Sequence, residues 1–120
     1  MKLLIAALTF VTLLAFIVPE AALAQNHDGC NHNPTIESLR MCVEHAANAG
    51  HIDNAGIAQS LSAKLNAAQK AENRGQHSVA INILEAFVKA VEAQKGKHIY
   101  EDHAEHLLMH AQQVITALNQ

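Results

Sequence analysis

Aromatic side chains are scarce in this 120-residue chain, which has no tryptophan, one tyrosine and three phenylalanines. Phe10 and Phe16 lie in the apolar N-terminal stretch, so Phe87 and Tyr100 are the only phenylalanine and tyrosine beyond it. Two such rings are too few for the row of stacking surfaces that binds single-stranded nucleic acid. The formal net charge of −3 provides no basic surface for phosphate groups either. We therefore expect no nucleic-acid partner.

Long apolar runs are absent except for one at the N-terminus, from Leu3 to Val18. This run is shorter than the ~20 residues that a membrane-spanning helix needs. Lys2 precedes it, and Pro19 and an Ala-Leu-Ala site ending at Ala24 follow, which is the order of a secretory signal peptide. We predict that residues 1–24 are removed after Ala24. The remaining chain is then one small secreted or periplasmic domain with no membrane span.

Cysteine occurs only at Cys30 and Cys42. In an oxidising compartment such a pair normally forms a disulfide, which here would tie an N-terminal tail, residues 25–33, to the first helix. Closing this loop would contribute roughly 3 kcal/mol to stability. The alternative is a structural zinc site, because Cys30 with His32 and Cys42 with His45 also supply four zinc-type ligands. The sequence C-x-x-C-H is absent, which argues against covalently attached haem.

Alternating strand patterns are absent beyond the signal peptide, and the periodicity is helical. Glycine-containing turns at 49–54, 74–77 and 95–99 divide the chain into four segments of helical length. Short connections between helices favour antiparallel neighbours. We predict an all-α fold, a small antiparallel four-helix up-and-down bundle over residues 34–120.

The capping residues predict where the helices begin. Asn33 is the expected N-cap of the first helix, with Pro34 in its first position, and Asp53 or Asn54 is expected to cap the second. The third helix, from about 78 to 94, has apolar residues over the widest arc, which predicts that it is the most buried of the four.

Histidine is abundant, with nine in the chain. On a fourth helix from about 100 to 118, His103, His106 and His110 fall with Asp102 on one strip beside the apolar face. Spacings of three and four residues allow two imidazoles to share one ion. His103 and His110 lie ~10 Å apart along the axis, so one ion would engage only two of the three. The candidates for further ligands from neighbouring segments are His45, His51, His77 and Glu44.

This strip is therefore a candidate site for Zn, Cu or Ni, and no other cofactor is indicated. Its alternatives are a solvated polar face, or a pH response of neighbouring imidazoles with a reference pKa near 6.5. No E-x-x-H pair occurs, which argues against a di-iron carboxylate bundle.

Three sequence blocks carry a family resemblance: G-I-A-x-S-L-x-A-K-L at 56–65, A-I-N-x-L-x-A-F at 80–87 and V-x-A-Q-x-G-K-x-I at 91–99. With them, residues 36–118 resemble the helical FIMAH-type module of secreted bacterial and archaeal proteins. In that family the module usually lies at the C-terminal end of larger extracellular enzymes or multidomain surface proteins. The resemblance implies an accessory or binding role towards a protein or cell-envelope partner.

Within these blocks, Gly56 and Gly96 are expected to serve turns. Five polar block positions are candidates for contact with a partner: Ser60, Lys64, Asn82, Gln94 and Lys97. The chain is expected not to be an enzyme, because no G-x-S-x-G sequence and no free cysteine nucleophile are indicated. Ser78 beside His77 is a neighbour in sequence and not a catalytic pair. The oligomeric state is not predicted.

Overall fold

The structure is a computed structural model that describes residues 30–120. The predicted signal peptide and residues 25–29 of the predicted tail lie outside the described residues. The described part contains four helices and no β-strand. Their bounds are Ile36–Asn48 (α1), Ala55–Asn73 (α2), His77–Gln94 (α3) and Glu101–Leu118 (α4). This confirms the predicted all-α fold.

Each helix packs against the next one in the chain, and α4 also packs against α1. These contacts close the four helices into a bundle around one apolar core. The largest fully buried side chains come from all four helices and the α3–α4 connection: Phe87, Ile36, Leu39, Leu61, Leu65, Leu84, Ile99, Val43, Val91 and Val114. In residues 30–120 no helix is both long and apolar enough to span a membrane.

The prediction that α3 is the most buried helix was wrong. α3 buries Ala80, Leu84, Phe87 and Val91, whereas α1 and α4 each bury six residues. Ile81, Ile83, Val88 and Ala90 flank the core in partly buried positions and Val79 is exposed, because the apolar arc of α3 is wider than the face that contacts the bundle interior. Three of the residues that α1 and α4 bury are in contact with the tail: Ser38, Cys42 and His110.

The first helix begins later than predicted. Thr35, not Asn33, is the N-cap of α1, and its side chain accepts a hydrogen bond from the backbone N–H of Ser38. Asn33 precedes the helix, and its carbonyl accepts from the N–H of Thr35. The prediction for α2 is confirmed: of the two candidates, Asn54 caps the helix by accepting from the N–H of Ile57.

Gly96 lies in the α3–α4 connection with φ +72°, a left-handed conformation that favours glycine. Its N–H donates to the carbonyl of Ile99 at 2.8 Å, which confirms its predicted place in a turn. Gly56 is not in a turn as predicted, but is the second residue of α2. A Cβ there would lie 3.2 Å from Oδ1 of Asn54, so glycine leaves room for the capping side chain.

The α1–α2 and α3–α4 connections meet at one end of the bundle. The N–H of Tyr100 donates to the carbonyl of His51, and the N–H of Asp53 donates to that of His98, both at 3.0 Å. These bonds hold His51 beside the first turn of α4.

The predicted disulfide between Cys30 and Cys42 is present, with the two Cα atoms 4.9 Å apart. A hydrogen bond from Oγ of Ser38 to the carbonyl of Asn31 adds a second link between the tail and α1. The tail therefore lies along the bundle where α1 and α4 meet.

Candidate metal centre

A small pocket lies between the tail, α1 and α4. Five of its nine lining residues are histidines, although the chain has only nine histidines in all. The lining residues are Cys30, His32, Cys42, His45, Ala46, His103, His106, Leu107 and His110. The pocket therefore concentrates imidazole and sulfur in one place.

Helical periodicity and the disulfide together assemble this pocket. His103, His106 and His110 follow each other at spacings of three and four, so they project from one side of α4. The disulfide at Cys30 brings His32 over the same side. The ring centroid of His32 lies 5.5 Å from that of His110 and 6.4 Å from that of His106.

His110 is the innermost of these histidines, with 2% of its surface exposed. Its Nε2 lies 2.6 Å from the carbonyl oxygen of Asn33. A carbonyl oxygen can only accept, so Nε2 carries the proton and Nδ1 holds a lone pair. Nδ1 lies 3.5 Å from Sγ of Cys42, which has no hydrogen to donate in a disulfide.

Burial lowers the pKa of His110 below its usual value of 6.5, and the positive charge that His32 can carry lowers it further. The hydrogen bond to Asn33 raises this pKa, but its effect is smaller than that of burial. His110 is therefore neutral at pH 7, the state in which imidazole binds a metal ion.

His103 also lines the pocket and stacks on His51, with ring centroids 3.6 Å apart and an angle of 18° between the rings. The ring of Tyr100 contacts that of His51 edge-on, with the two centroids 5.4 Å apart. Nδ1 of His51 is buried and has no hydrogen-bond partner within residues 30–120. His103 also lies 6.3 Å from His106, centroid to centroid, and so continues the cluster along α4.

The other predicted ligands lie elsewhere. Asp102 is exposed and does not line the pocket, because it projects towards the α3–α4 connection. Glu44 forms an ion pair with Arg40 on the surface of α1. His77 is exposed at the first position of α3. None of these three side chains therefore belongs to the pocket.

The profile of the FIMAH domain matches residues 36–116, well over half of the chain. The chain belongs to the FIMAH domain family. Comparisons with curated proteins and with solved structures each gave no significant match. In this FIMAH domain, Cys42 and the α4 histidines lie inside the matched range, whereas Cys30 and His32 precede it. Family membership supports a helical accessory or binding module.

The five polar residues predicted to contact a partner differ in the contacts that they make within the protein. Nζ of Lys64 donates to Oγ of Ser60 at 3.0 Å, which is a contact within α2. The carbonyl of Gln94 accepts from three N–H groups of the following turn, including that of Lys97. Asn82 is exposed on α3. Partner binding by these residues remains a prediction.

Proposed function

We propose that this FIMAH-domain protein is a small secreted or periplasmic, non-catalytic module that binds one divalent transition-metal ion in the pocket between the tail, α1 and α4. The observation that carries the proposal is the position of His32, which faces both His106 and His110 across the pocket. The disulfide supports an oxidising compartment.

The spacing of the rings is close to what a shared ion requires. Two imidazoles on one tetrahedral ion, each bound at about 2.0 Å through nitrogen, have centroids about 5 Å apart. The observed centroid distances from His32 are 5.5 Å to His110 and 6.4 Å to His106. His32 is exposed on the tail, so small side-chain rotations can close the remaining gap.

His110 provides the fixed ligand. Its ring is held by the bond from Nε2 to Asn33, and its Nδ1 lies 3.5 Å from Sγ of Cys42, one of the residues that line the pocket. Histidine ligands are commonly oriented in this way, by a backbone carbonyl bound to the second ring nitrogen. Burial lowers the pKa of His110, which reduces competition from protons for this nitrogen at neutral pH.

The chemistry of the lining selects the class of ion. Imidazole suits zinc, copper and nickel, whereas calcium and magnesium prefer oxygen ligands. No aspartate or glutamate of residues 30–120 lines the pocket. A zinc, copper or nickel ion is therefore the expected ligand.

The test uses the 120-residue chain, exported through its predicted signal peptide, purified without a histidine tag and kept oxidised. After chelation, zinc, copper and nickel are titrated by calorimetry and native mass spectrometry. We expect one ion per chain, and loss of binding when His32 and His106 are replaced by Ala. A dissociation constant weaker than about 10 µM for all three ions would contradict the proposal.

The matched control is His77→Ala together with His98→Ala, which removes the same number of imidazoles outside the pocket. His77 is exposed on α3, and His98 pairs with Asp53 at 2.7 Å. If this control loses the ion as completely as the pocket variant, the binding is adventitious and the proposed site is wrong.

A further inference from the structure

We propose that reduction of the disulfide between Cys30 and Cys42 creates a second metal site. In the reduced protein, the two thiolates bind zinc together with His32 and His110. This goes beyond the imidazole site proposed above and does not depend on it, because sulfur supplies half of the ligands. The juxtaposition that carries it is the position of His32 and His110 beside the sulfur atoms.

Three of the four ligands are already close together. The potential ligand atoms of Cys30, His32 and Cys42 all lie within 4.8 Å of one another. In a tetrahedral zinc site the sulfur-to-nitrogen edge is about 3.5 Å and the sulfur-to-sulfur edge about 3.8 Å. Breaking the disulfide lets the two sulfur atoms move apart to the sulfur-to-sulfur distance of a zinc site. The ligand nitrogen of His32 then needs to move only a little.

His110 supplies the fourth ligand from the α4 side. Its Nδ1 lies 3.5 Å from Sγ of Cys42, which equals the expected edge of the tetrahedron. The lone pair of this nitrogen is buried, and in the disulfide form it faces a sulfur atom that cannot donate to it. Such an arrangement fits a metal ligand better than a core histidine, because buried polar atoms are normally hydrogen-bonded.

His110, and not His45, therefore completes the set. The sequence pairs Cys42 with His45 through a C-x-x-H spacing. Both His45 and His110 line the pocket, and neither belongs to the cluster of close ligand atoms. Of the two, His110 is fixed to the tail by its bond to Asn33, and its Nδ1 lies 3.5 Å from Sγ of Cys42.

The site is accessible from the tail side. Cys30 is half-buried and His32 is exposed, whereas Cys42 is buried. A reductant and an ion can therefore approach over the tail without opening the core. Zinc would hold the tail in place after reduction, since the same two residues that the disulfide joins remain connected through the ion.

The redox step balances with a dithiol as the reductant. A thiolate of the dithiol attacks one sulfur of the bridge and forms a mixed disulfide, and the second thiol resolves it. The protein bridge gains two electrons, and the dithiol loses two and becomes a disulfide. The two protein thiols then bind Zn²⁺ and release two protons.

The test compares oxidised and phosphine-reduced full chain, prepared as above, under anaerobic conditions. Zinc affinity is measured by competition with a chromophoric chelator, and cobalt is used as a spectroscopic probe. We expect one zinc per reduced chain, bound at least about 100-fold more tightly than by the oxidised chain. The cobalt form should show a thiolate charge-transfer band that the oxidised chain lacks. Equal affinities, or a cobalt spectrum without that band, would overturn the proposal.

Variants separate this site from the imidazole site. His106→Ala should retain the reduced-state zinc affinity, since His106 is not one of the four ligands. Cys30→Ser should lose the charge-transfer intensity of one thiolate, and circular dichroism checks that it is folded. His110→Ala should weaken zinc binding and His45→Ala should not. The reverse result would overturn the ligand assignment, and tight binding by reduced Cys30→Ser would overturn the site.

Discussion

His110 on α4 donates a hydrogen bond from Nε2 to the carbonyl of Asn33 in the tail, at 2.6 Å. The disulfide between Cys30 and Cys42 fixes the same tail to α1. The tail is therefore attached to both helices that border the pocket. His32 lies between these two attachments, which explains why an exposed residue on an irregular segment has a defined position.

Replacing His110 by Ala should lower the free energy of unfolding by about 2 to 3 kcal/mol, because it removes a buried ring and its hydrogen bond. Urea unfolding of the oxidised protein in a chelator measures this. His77→Ala is the control, and as an exposed position it should change the value by no more than about 0.5 kcal/mol. A similar small effect at His110 would show that the tail contact adds little stability.

Stability should also fall below neutral pH in the metal-free, oxidised protein. The pKa of His110 is lowered in the folded state, chiefly by burial, so the unfolded chain takes up a proton that the folded chain does not. The loss begins near pH 6.5, the unfolded value, and continues until the pH reaches the lowered folded pKa. The groups facing His110 are His32, the Cys42 sulfur and the Asn33 carbonyl, and none is a carboxylate that would offset the charge.

The measurement is the free energy of unfolding at pH 7.5 and at pH 5.0 for the wild type and for His110→Gln. The two proteins differ only at residue 110, so the difference between their pH profiles isolates His110. The wild type should lose more stability than the variant. Parallel pH profiles would remove His110 as the cause.

Reducing the disulfide without metal should lower the free energy of unfolding by roughly 3 kcal/mol, since the bridge closes a short loop in the unfolded chain. The two cysteines are 12 residues apart. The measurement compares unfolding with and without a phosphine reductant, in chelator. An unchanged midpoint would mean that the bridge does not constrain the unfolded chain.

The sequence predicts the bundle well because helix-forming information is local. Glycine turns and a 3.6-residue apolar period place four helices to within a few residues. The start of α1 was missed because both Asn33 and Thr35 are reasonable caps by residue type, and only the structure shows that the Thr35 side chain makes the capping bond. The prediction of a turn at Gly56 is wrong because the sequence alone does not distinguish a glycine in the first turn of a helix from one just before the helix.

The candidate site was predicted only in part, because its assembly is not local. The i, i+3 and i, i+4 pattern identified the strip on α4, and the cysteine spacing identified the bridge. Neither pattern shows that the bridge lies against the strip, since that requires α4 to pack on α1. Two predictions taken together could have located the site. The disulfide fixes His32 beside α1, and in a closed four-helix bundle the last helix packs against the first.

Replacing Gly96 by Ala should destabilise the protein by about 1 kcal/mol, because residue 96 has φ +72° and a Cβ disfavours this conformation. A steric clash is not the reason for the lost stability, since a Cβ at residue 96 would meet no atom within 4 Å. Gly96→Asn should cost less than Gly96→Ala, because asparagine adopts left-handed conformations more readily. Equal thermal stability of the alanine variant and the wild type would show that the turn can adopt another conformation.

Zinc should stabilise the oxidised protein through the tail, because the proposed ion joins His32 to the α4 histidines. A ligand at 100 times its dissociation constant adds about 2.7 kcal/mol to the free energy of unfolding. Thermal unfolding with and without zinc measures this shift, which His32→Ala should abolish and His77→Ala should retain. If His32→Ala keeps the full shift, the ion is bound by α4 or α1 alone, and the tail has no part in the metal centre.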